Sequence, residues 1–360
     1  MVFAAFRPVV LFFKTMSTKV IINRISAHGE GELDLLRTIR HRAARRGRQG
    51  SIRLGIGDDC ALLGIVPGEE MAITTDLSIA GRHFRMEWHP PESVGHRTLA
   101  RGLSDLAAMG ARPVAAFLSL GVPRELTVRK GRRASWVDRF FEGLFRLAEA
   151  YRCPLAGGDL AESPVALADI VLVGAVPARK ALRRSGARPG DLLYVTGALG
   201  GAAAGLAKLE ELGGKRASRL TDAPRVPSGL AAHLFPQPRI AQGLTLQRRG
   251  LATAGIDLSD GLSTDLAHLC EESGVGALVE MELIPVLEGA SLEQAMHGGE
   301  DYELLFAARP SIRVPRFIGG VPISRIGHIT RRQRGKPSVQ IATSSTIESL
   351  EPRGWQHFSS

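Results

Sequence analysis

Four segments of this 360-residue chain share one design: an apolar run that ends in small or hydroxyl residues and then a carboxylate. They are Ile52-Arg53-Leu54-Gly55-Ile56-Gly57-Asp58-Asp59, Met71-Ala72-Ile73-Thr74-Thr75-Asp76, Pro154-Leu155-Ala156-Gly157-Gly158-Asp159 and Gly255-Ile256-Asp257-Leu258-Ser259-Asp260. Runs of this kind read as buried strands that deliver an Asp to a strand end, where α/β and α+β domains place ligands. One such Asp would be a turn residue. Four of them, in a chain of net charge +10, suggest carboxylates gathered around cations. Carboxylate and hydroxyl oxygens suit Mg²⁺, which keeps several waters and bridges protein carboxylates to substrate phosphates. Thr74 and Thr75 beside Asp76 add hydroxyl or carbonyl ligands at the same edge. Zinc is disfavoured, because no His/Cys set has ligand spacing. Mg²⁺ on Asp clusters, with Arg and glycine amides nearby, is the apparatus of phosphoryl transfer. Paired carboxylates also serve glycosidases, but Trp88, Trp136 and Trp355 are too few and scattered to line a sugar groove.

Other residues add to this set. Asp105 lies within a helix expected over Pro91 to Met109, among Leu103, Leu106, Ala107 and Ala108, where a carboxylate is costly unless metal-bound or paired, for example with Arg101. Val195-Thr196-Gly197-Ala198-Leu199-Gly200-Gly201 has the strand, glycine turn and helix order of a phosphate cradle, although close packing explains the glycines equally well. Gly213-Gly214-Lys215 is no P-loop, since Arg216 stands where Ser or Thr is required. Gly298-Gly299-Glu300-Asp301-Tyr302-Glu303, followed by an apolar strand, is the densest motif of the second half. His83, in Gly81-Arg82-His83-Phe84, reads alone as a structural histidine.

The elements that must position these residues alternate strand and helix. A second helix is expected over Arg133 to Tyr151 and a strand over Ala168 to Val176; after the Pro189-Gly190 turn come a strand over Leu192 to Thr196 and a helix from Gly200. A Pro-rich connection over Pro224 to Pro238, a helix over Ser263 to Ser273 and a strand-rich end follow. The length fits two domains, placed at 29–186 and 187–360 behind an extension over 1–28 in which Met16 offers an alternative start. With 44% hydrophobic and 23% charged residues, the composition excludes a disordered or collagen-like chain. Cys60, Cys153 and Cys270 are odd in number and far apart, so a disulfide framework is not expected and a reducing, cytoplasmic setting is. The apolar start is too short to span a bilayer, and no membrane partner is expected. Seven arginines from Arg37 to Arg53 without an acid among them read as a solvated helix face and loop. Lacking interleaved aromatics, they predict no nucleic-acid partner.

Gly55-Ile56-Gly57-Asp58-Asp59-Cys60-Ala61, Thr74-Thr75-Asp76, Leu103-Ser104-Asp105-Leu106-Ala107-Ala108-Met109-Gly110-Ala111, Gly157-Gly158-Asp159, Asp257-Leu258-Ser259-Asp260-Gly261-Leu262 and Gly298-Gly299-Glu300-Asp301-Tyr302-Glu303-Leu304 together resemble the thiamine-monophosphate kinases. These form a branch of the aminoimidazole ribonucleotide synthetase-like superfamily, and the resemblance runs in order from about Gly29 to Phe358. It implies an α+β N-terminal domain followed by an α/β C-terminal domain, a homodimer formed through the N-terminal sheet, and ATP as co-substrate. The implied reaction is phosphorylation of thiamine monophosphate to thiamine diphosphate, in line and without a phosphoenzyme. Asp59, Thr74, Thr75, Asp76, Asp105, Asp159, Asp257 and Asp260 take the Mg²⁺ positions by resemblance, with Asp105, Asp159 and Asp260 closest to the chemistry. Gly158, Asp159, Arg184 and Ser259 take the ATP-phosphate positions, and His83, Glu300 and Trp355 the thiamine positions. Two departures are Leu160, where Thr is usual, and Gly102, where Asn is common. The alternatives are another ATP-dependent synthetase of the superfamily, although no Cys precedes Cys60 to serve selenide chemistry, or a nucleotide-binding protein without catalysis.

Overall fold

A computed structural model describes residues 38–43, 51–54, 62–64, 66–129, 134–217, 226–332 and 338–354. Asp59, Trp355, most of the arginine run and the whole 1–28 extension lie outside these residues.

In the N-terminal half β1 (Ile52–Leu54) pairs with β2 (Leu62–Leu63) as a small hairpin. Next come β3 (Glu69–Ile79), α1 (Pro91–Ala108), β4 (Arg112–Val122), α2 (Trp136–Ala150), β5 (Leu155–Glu162) and β6 (Leu167–Pro177). The long strands form a four-stranded sheet in the order β3-β6-β4-β5, parallel only between β4 and β5. Pro91 opens α1 with Glu92 in its first turn, and Gly110, at φ 63°, turns the chain out after it. A Ser135/Asp138 capping box opens α2. Both helices cover one face of the sheet, burying Leu99, Leu103, Phe140 and Leu144 completely. The helical turn at 38–43 docks here too, Arg42 bonding Glu142 at 2.7 Å, so part of the arginine run is a packed helix face.

The other face of this sheet is covered only in part. Ile52 and Leu63 of the hairpin pack near Val114, Ala115, Val173 and Ala175. Beyond them Met71, Ile73 and Leu77 alternate along β3 and stay open to solvent, Ile73 at 63% exposure.

The C-terminal half begins with β7 (Leu192–Thr196), α3 (Gly201–Ala217), α4 (Ser228–Leu234), α5 (Ile240–Arg248), β8 (Ala254–Asp257), α6 (Leu262–Ser273) and β9 (Gly276–Glu280). It ends with α7 (Leu292–His297), β10 (Leu304–Ala308), β11 (Phe317–Ile318), β12 (Val321–Thr330), β13 (Val339–Ala342) and β14 (Ile347–Ser349). Its strands form an eight-stranded, mainly antiparallel sheet in the order β14-β13-β9-β12-β7-β10-β8, with β11 beside β12. The stretch expected as a Pro-rich connection contains α4, because Leu230 and Leu234 bury against Leu209 of α3 and supply the apolar face a helix needs.

The two halves share α1. Its Ser93 Oγ donates to Leu234 O at 2.8 Å, and His96 Nε2 meets Pro236 O at 2.7 Å. The connection after β6 is pinned to both halves at adjacent residues: Leu182 N–H donates to Met109 O and Gly255 N–H to Arg183 O.

Candidate active site

β3 alternates side chains across its two faces, so Thr74, Asp76 and Ser78 point toward α1. Thr74 Oγ1 donates to Asp105 Oδ2 in a short hydrogen bond. Asp76 Oδ1 lies 3.7 Å from Arg101 Nε, so Arg101, placed beside Asp105 by the sequence, pairs with Asp76. Asp257, at the end of β8, accepts from Ser104 Oγ at 2.7 Å across the junction of the two halves. Just beyond, the Asp265 carboxylate accepts from the Asp260 and Gly261 amides, both at 3.0 Å. The junction therefore gathers carboxyl groups from β3, α1, β8 and the first turn of α6.

The acids raise one another. Burial and the charge of Asp105 push Asp76 up to about 7. Burial raises Asp105 despite the Thr74 hydroxyl and Arg184. Burial and Asp105 raise Asp257 well above the carboxylate range, and burial with the charge of Asp260 raises Asp265 to about 7. Asp76 Oδ2 is buried without a hydrogen-bond partner. A buried orphan oxygen amid mutually repelling carboxyls is the environment that a hard divalent cation relieves, so the donor set fits Mg²⁺. Among the described residues no group of three His, Cys, Asp or Glu side chains is placed to hold a metal ion by itself. An all-protein cage is not the usual arrangement for Mg²⁺, which takes one or two carboxylates and fills its shell from water and substrate phosphate.

The remaining expected ligands lie elsewhere. Thr75 points to the outer face of the sheet and donates to Asp169 Oδ1 at 2.9 Å. Asp159 is exposed and accepts from the Leu160 amide at 2.9 Å. Register places Asp159 opposite Ser119, Ser119 opposite Asp169 and Asp169 opposite Leu77, in one row across the open face. Asp76 and Asp159 stand within strands, not at strand ends as expected; among the described ones Asp257 closes its strand. Gly158, at φ 151°, passes so close to β4 that a Cβ would stand 1.9 Å from Leu118 O. Arg184 is exposed on the connection after β6, its charge lowering both Asp105 and Asp265.

A second group lies beside α1. Arg97 Nη2 donates to Glu300 Oε1 at 2.6 Å and to His83 O at 3.4 Å, so one guanidinium ties together the two described residues expected to meet thiamine. Arg97 Nη1 also bonds His233 O, and His233 Nε2 lies 2.9 Å from His89 Nε2. Burial opposes the Glu300 charge, but Arg97 and His233 outweigh it and hold the carboxyl down to about 2. Glu300 and Tyr302 take left-handed backbone conformations, φ 68° and 51°, in a loop hydrogen-bonded to Ser259 O and Leu258 O. The double glycine permits that crossing, since a Cβ at Gly299 would stand 2.5 Å from Ser259 O. Gly354 N–H bonds Thr264 Oγ1, which brings the chain leading to Trp355 alongside Asp260.

Sequence reasoning missed Asp265, Arg97, His233 and Asp169. Asp265 carried a signal, an acid in the first turn of a helix after Gly. The phosphate-cradle reading of Val195–Gly201 is corrected: the Gly200 and Ala202 amides are taken by Asp301, at 2.6 and 3.0 Å, so the helix start already holds an internal anion. Glu303 is likewise committed, to Arg239 and Thr196. Gly213 interrupts α3 with φ 64°. A cavity of about 490 Å³ beside Arg146, Arg239, Asp301 and Glu303 includes none of the expected site residues. Both departures have packing reasons. Leu160 stands opposite Leu120 and packs on the core, and a Cβ at Gly102 would lie 2.8 Å from Leu172 Cδ1.

Comparison with known proteins agrees with this architecture. Residues 57–178 match AIR synthase related protein, N-terminal domain, and residues 188–340 match AIR synthase related protein, C-terminal domain. The chain is 39% identical over 319 residues to thiamine-monophosphate kinase of Salmonella typhimurium, covering 85% of this chain and 92% of that protein. It is 31% identical over 339 residues to the Bacillus subtilis enzyme of that name, covering 91% and 99%. The crystal structure of thiamine-monophosphate kinase from Stenotrophomonas maltophilia superposes with a TM-score of 0.72 at 33% identity, over 87% of this chain and 97% of that one. AaThiL complexed with AMPPCP and TMP superposes with a TM-score of 0.68 at 29% identity, over 91% and 97%. With this identity and coverage, and a carboxylate centre assembled from both halves, the chain belongs to the thiamine-monophosphate kinase family.

Proposed function

We infer that this protein transfers the γ-phosphoryl group of ATP to thiamine monophosphate, forming ADP and thiamine diphosphate by direct in-line displacement. The observation that carries the reading is the carboxyl cluster of Asp76, Asp105 and Asp257 at the junction of the halves, with Glu300 and His83 tied together beside it through Arg97. A related kinase holds an ATP analogue and TMP. Bound Mg²⁺ would neutralise the phosphates that repel one another. Asp76, Asp105 and Asp257 would hold it together with substrate phosphate oxygens, with Asp59, Asp260 and Thr74 as further ligands at the positions the resemblance assigns, whereas Thr75 and Asp159 point to the open face of the sheet, away from that centre. The acceptor is already an ionised phosphate, so the chain supplies position and charge and needs no strong base. Arg184, Ser259 and Gly158 face the donor phosphates, while Glu300, ionised throughout the physiological range, and His83 orient the thiamine part, with Trp355 beyond Gly354. Incubation with Mg²⁺, ATP and thiamine monophosphate, followed by phosphorus resonances, should show a new diphosphate ester together with ADP. ATP left intact by the folded protein would overturn the reading.

The protein acts as a homodimer in this reading, built on the open face of the four-stranded sheet. Met71, Ile73 and Leu77 stay exposed there at 49%, 63% and 45%, and an apolar sheet face of this kind calls for a cover. A second copy supplies it, setting Asp159 and Thr75 at the seam. An Ile73→Asp variant should sediment as a monomer where the parent is a dimer; an unchanged dimer would place the interface elsewhere. Cys153 and Cys270 are buried, their thiols pushed up to about 12, which suits a reducing cytoplasm. No helix among the described residues is long and apolar enough to cross a membrane.

A further inference from the structure

α1 presents Arg97, Arg101 and Asp105 at successive four-residue steps, one row along a single helix face rising about 6 Å per step. The two ends of the row do different things. Arg97 holds Glu300 and the His83 carbonyl, while Asp105 belongs to the carboxyl cluster with Asp76 and Asp257. Arg101 stands between them and feels the charges of both sides, Asp76 and Asp105 on one and Glu300 on the other. The recess it lines with Ser78, His83, Phe84, Val94 and Arg97 is only about 10 Å³, the size of one water, so an anion would meet Arg101 outside it.

The contacts of Arg101 leave its fork lightly used. Nε stands 3.7 Å from Asp76 Oδ1, and Nη1 donates to Leu77 O at 3.3 Å and Ser78 Oγ at 3.2 Å. A charge-assisted bond is shorter, about 2.7–2.9 Å. Other arginines of the molecule reach that range: Arg97 holds Glu300 at 2.6 Å, and Arg139 grips Glu92 bidentately at 2.7 and 2.8 Å. Arg97 is thus committed, the exposed Arg184 acts on Asp105 and Asp265 through its charge, and Arg101 is the planar cation on α1 between the thiamine end and the metal end. An acceptor with an organic part at Glu300 and a phosphate directed at the carboxyl cluster must lay that phosphate across it.

Resting on the function proposed above, we propose that Arg101 binds the phosphate of the acceptor, thiamine monophosphate, through both arms of its guanidinium. It is a phosphate-anchoring residue separate from the donor-phosphate contacts. Its 18% side-chain exposure keeps water from screening the contact, and the fork matches two phosphate oxygens in a way that an ammonium does not.

Calorimetry on the full chain with Mg²⁺ and a non-hydrolysable ATP analogue tests this, using thiamine monophosphate and thiamine as paired probes. Arg101→Gln should weaken thiamine monophosphate by about 30-fold, the range for a lost charge-assisted contact. Thiamine and the ATP analogue should stay within about twofold to threefold, since neither contact is touched. Equal loss of both probes, or an undiminished preference for the phosphorylated one, would overturn the assignment. Arg101→Lys keeps the buried charge and guards against misfolding: KM for thiamine monophosphate should rise about tenfold with KM for ATP unchanged, as a point charge replaces a fork, and an unchanged KM would overturn it. A parent protein that binds neither probe would overturn the functional reading with it. One that binds thiamine monophosphate, while Arg101→Gln retains the parent's preference, overturns the assignment of Arg101 alone.

Discussion

Asp105→Asn is expected to lower turnover by about a thousandfold, the scale on which loss of one preorganised electrostatic contact reduces kcat. The same change should leave the metal-free protein as stable as its parent or more so, by about 1 kcal/mol, because functional sites hold destabilising charge. The reason is local. Asp105 raises Asp76 and Asp257 alike, and its own carboxyl is raised by burial, so the amide removes a repulsion while keeping an oxygen for the Thr74 hydroxyl. Steady-state rates and urea unfolding with and without Mg²⁺ check both halves, and near-normal turnover would remove Asp105 from the metal site. The proposed metal also implies a pH signature. Asp76 sits at about 7, so a cation binding there must displace a proton. The Mg²⁺ concentration for half-maximal rate should therefore fall as pH rises from about 6 to 8. A flat dependence would mean that Mg²⁺ displaces no proton from Asp76.

Gly143→Ala is expected to destabilise the fold by about 3 kcal/mol, at the upper end for overpacking, because no rotamer can relieve the clash. A Cβ there would stand 1.8 Å from Glu92 O, and one at Gly95 would stand 1.9 Å from Phe140 O. The two glycines let α1 and α2 touch backbone to backbone, beside the bidentate Arg139–Glu92 pair. Separating the helices would open the layer of Leu99, Leu103, Phe140 and Leu144. It would also shift Arg97, Arg101 and Asp105, all carried by α1. Urea midpoints read the effect, and a loss below about 1 kcal/mol would show that the helices can part without cost.

The site was legible where chemistry is written in short runs. Asp76, Asp105 and Asp257 stood out because a carboxylate inside apolar sequence needs a partner, and the structure brings these three to one junction. The ends of α1 were legible from Pro91 and Gly110, since Pro fits a first turn and Gly the left-handed residue after the last. Asp301 was not separable from Glu300 by type or spacing, yet one caps the start of α3 and the other pairs with Arg97. The cap comes from a distant loop, and local sequence carries no trace of that partner. Thr74 and Thr75 are neighbours with the same hydroxyl, but the two-residue period of a strand sends one to Asp105 and the other to Asp169 on the opposite face.

By itself the sequence determined the kinds of group present, their order, and the local elements whose ends Pro, Gly and the capping Ser mark, because these depend on contacts within a few residues. Tertiary structure alone decided which face of β3 became the carboxyl centre, that Arg97 joins Glu300 to His83, and that Arg101 lies between the two ends of the site. Each of those depends on how α1 is clasped between two sheets, and that packing is set by side chains from 23 to 203 positions apart.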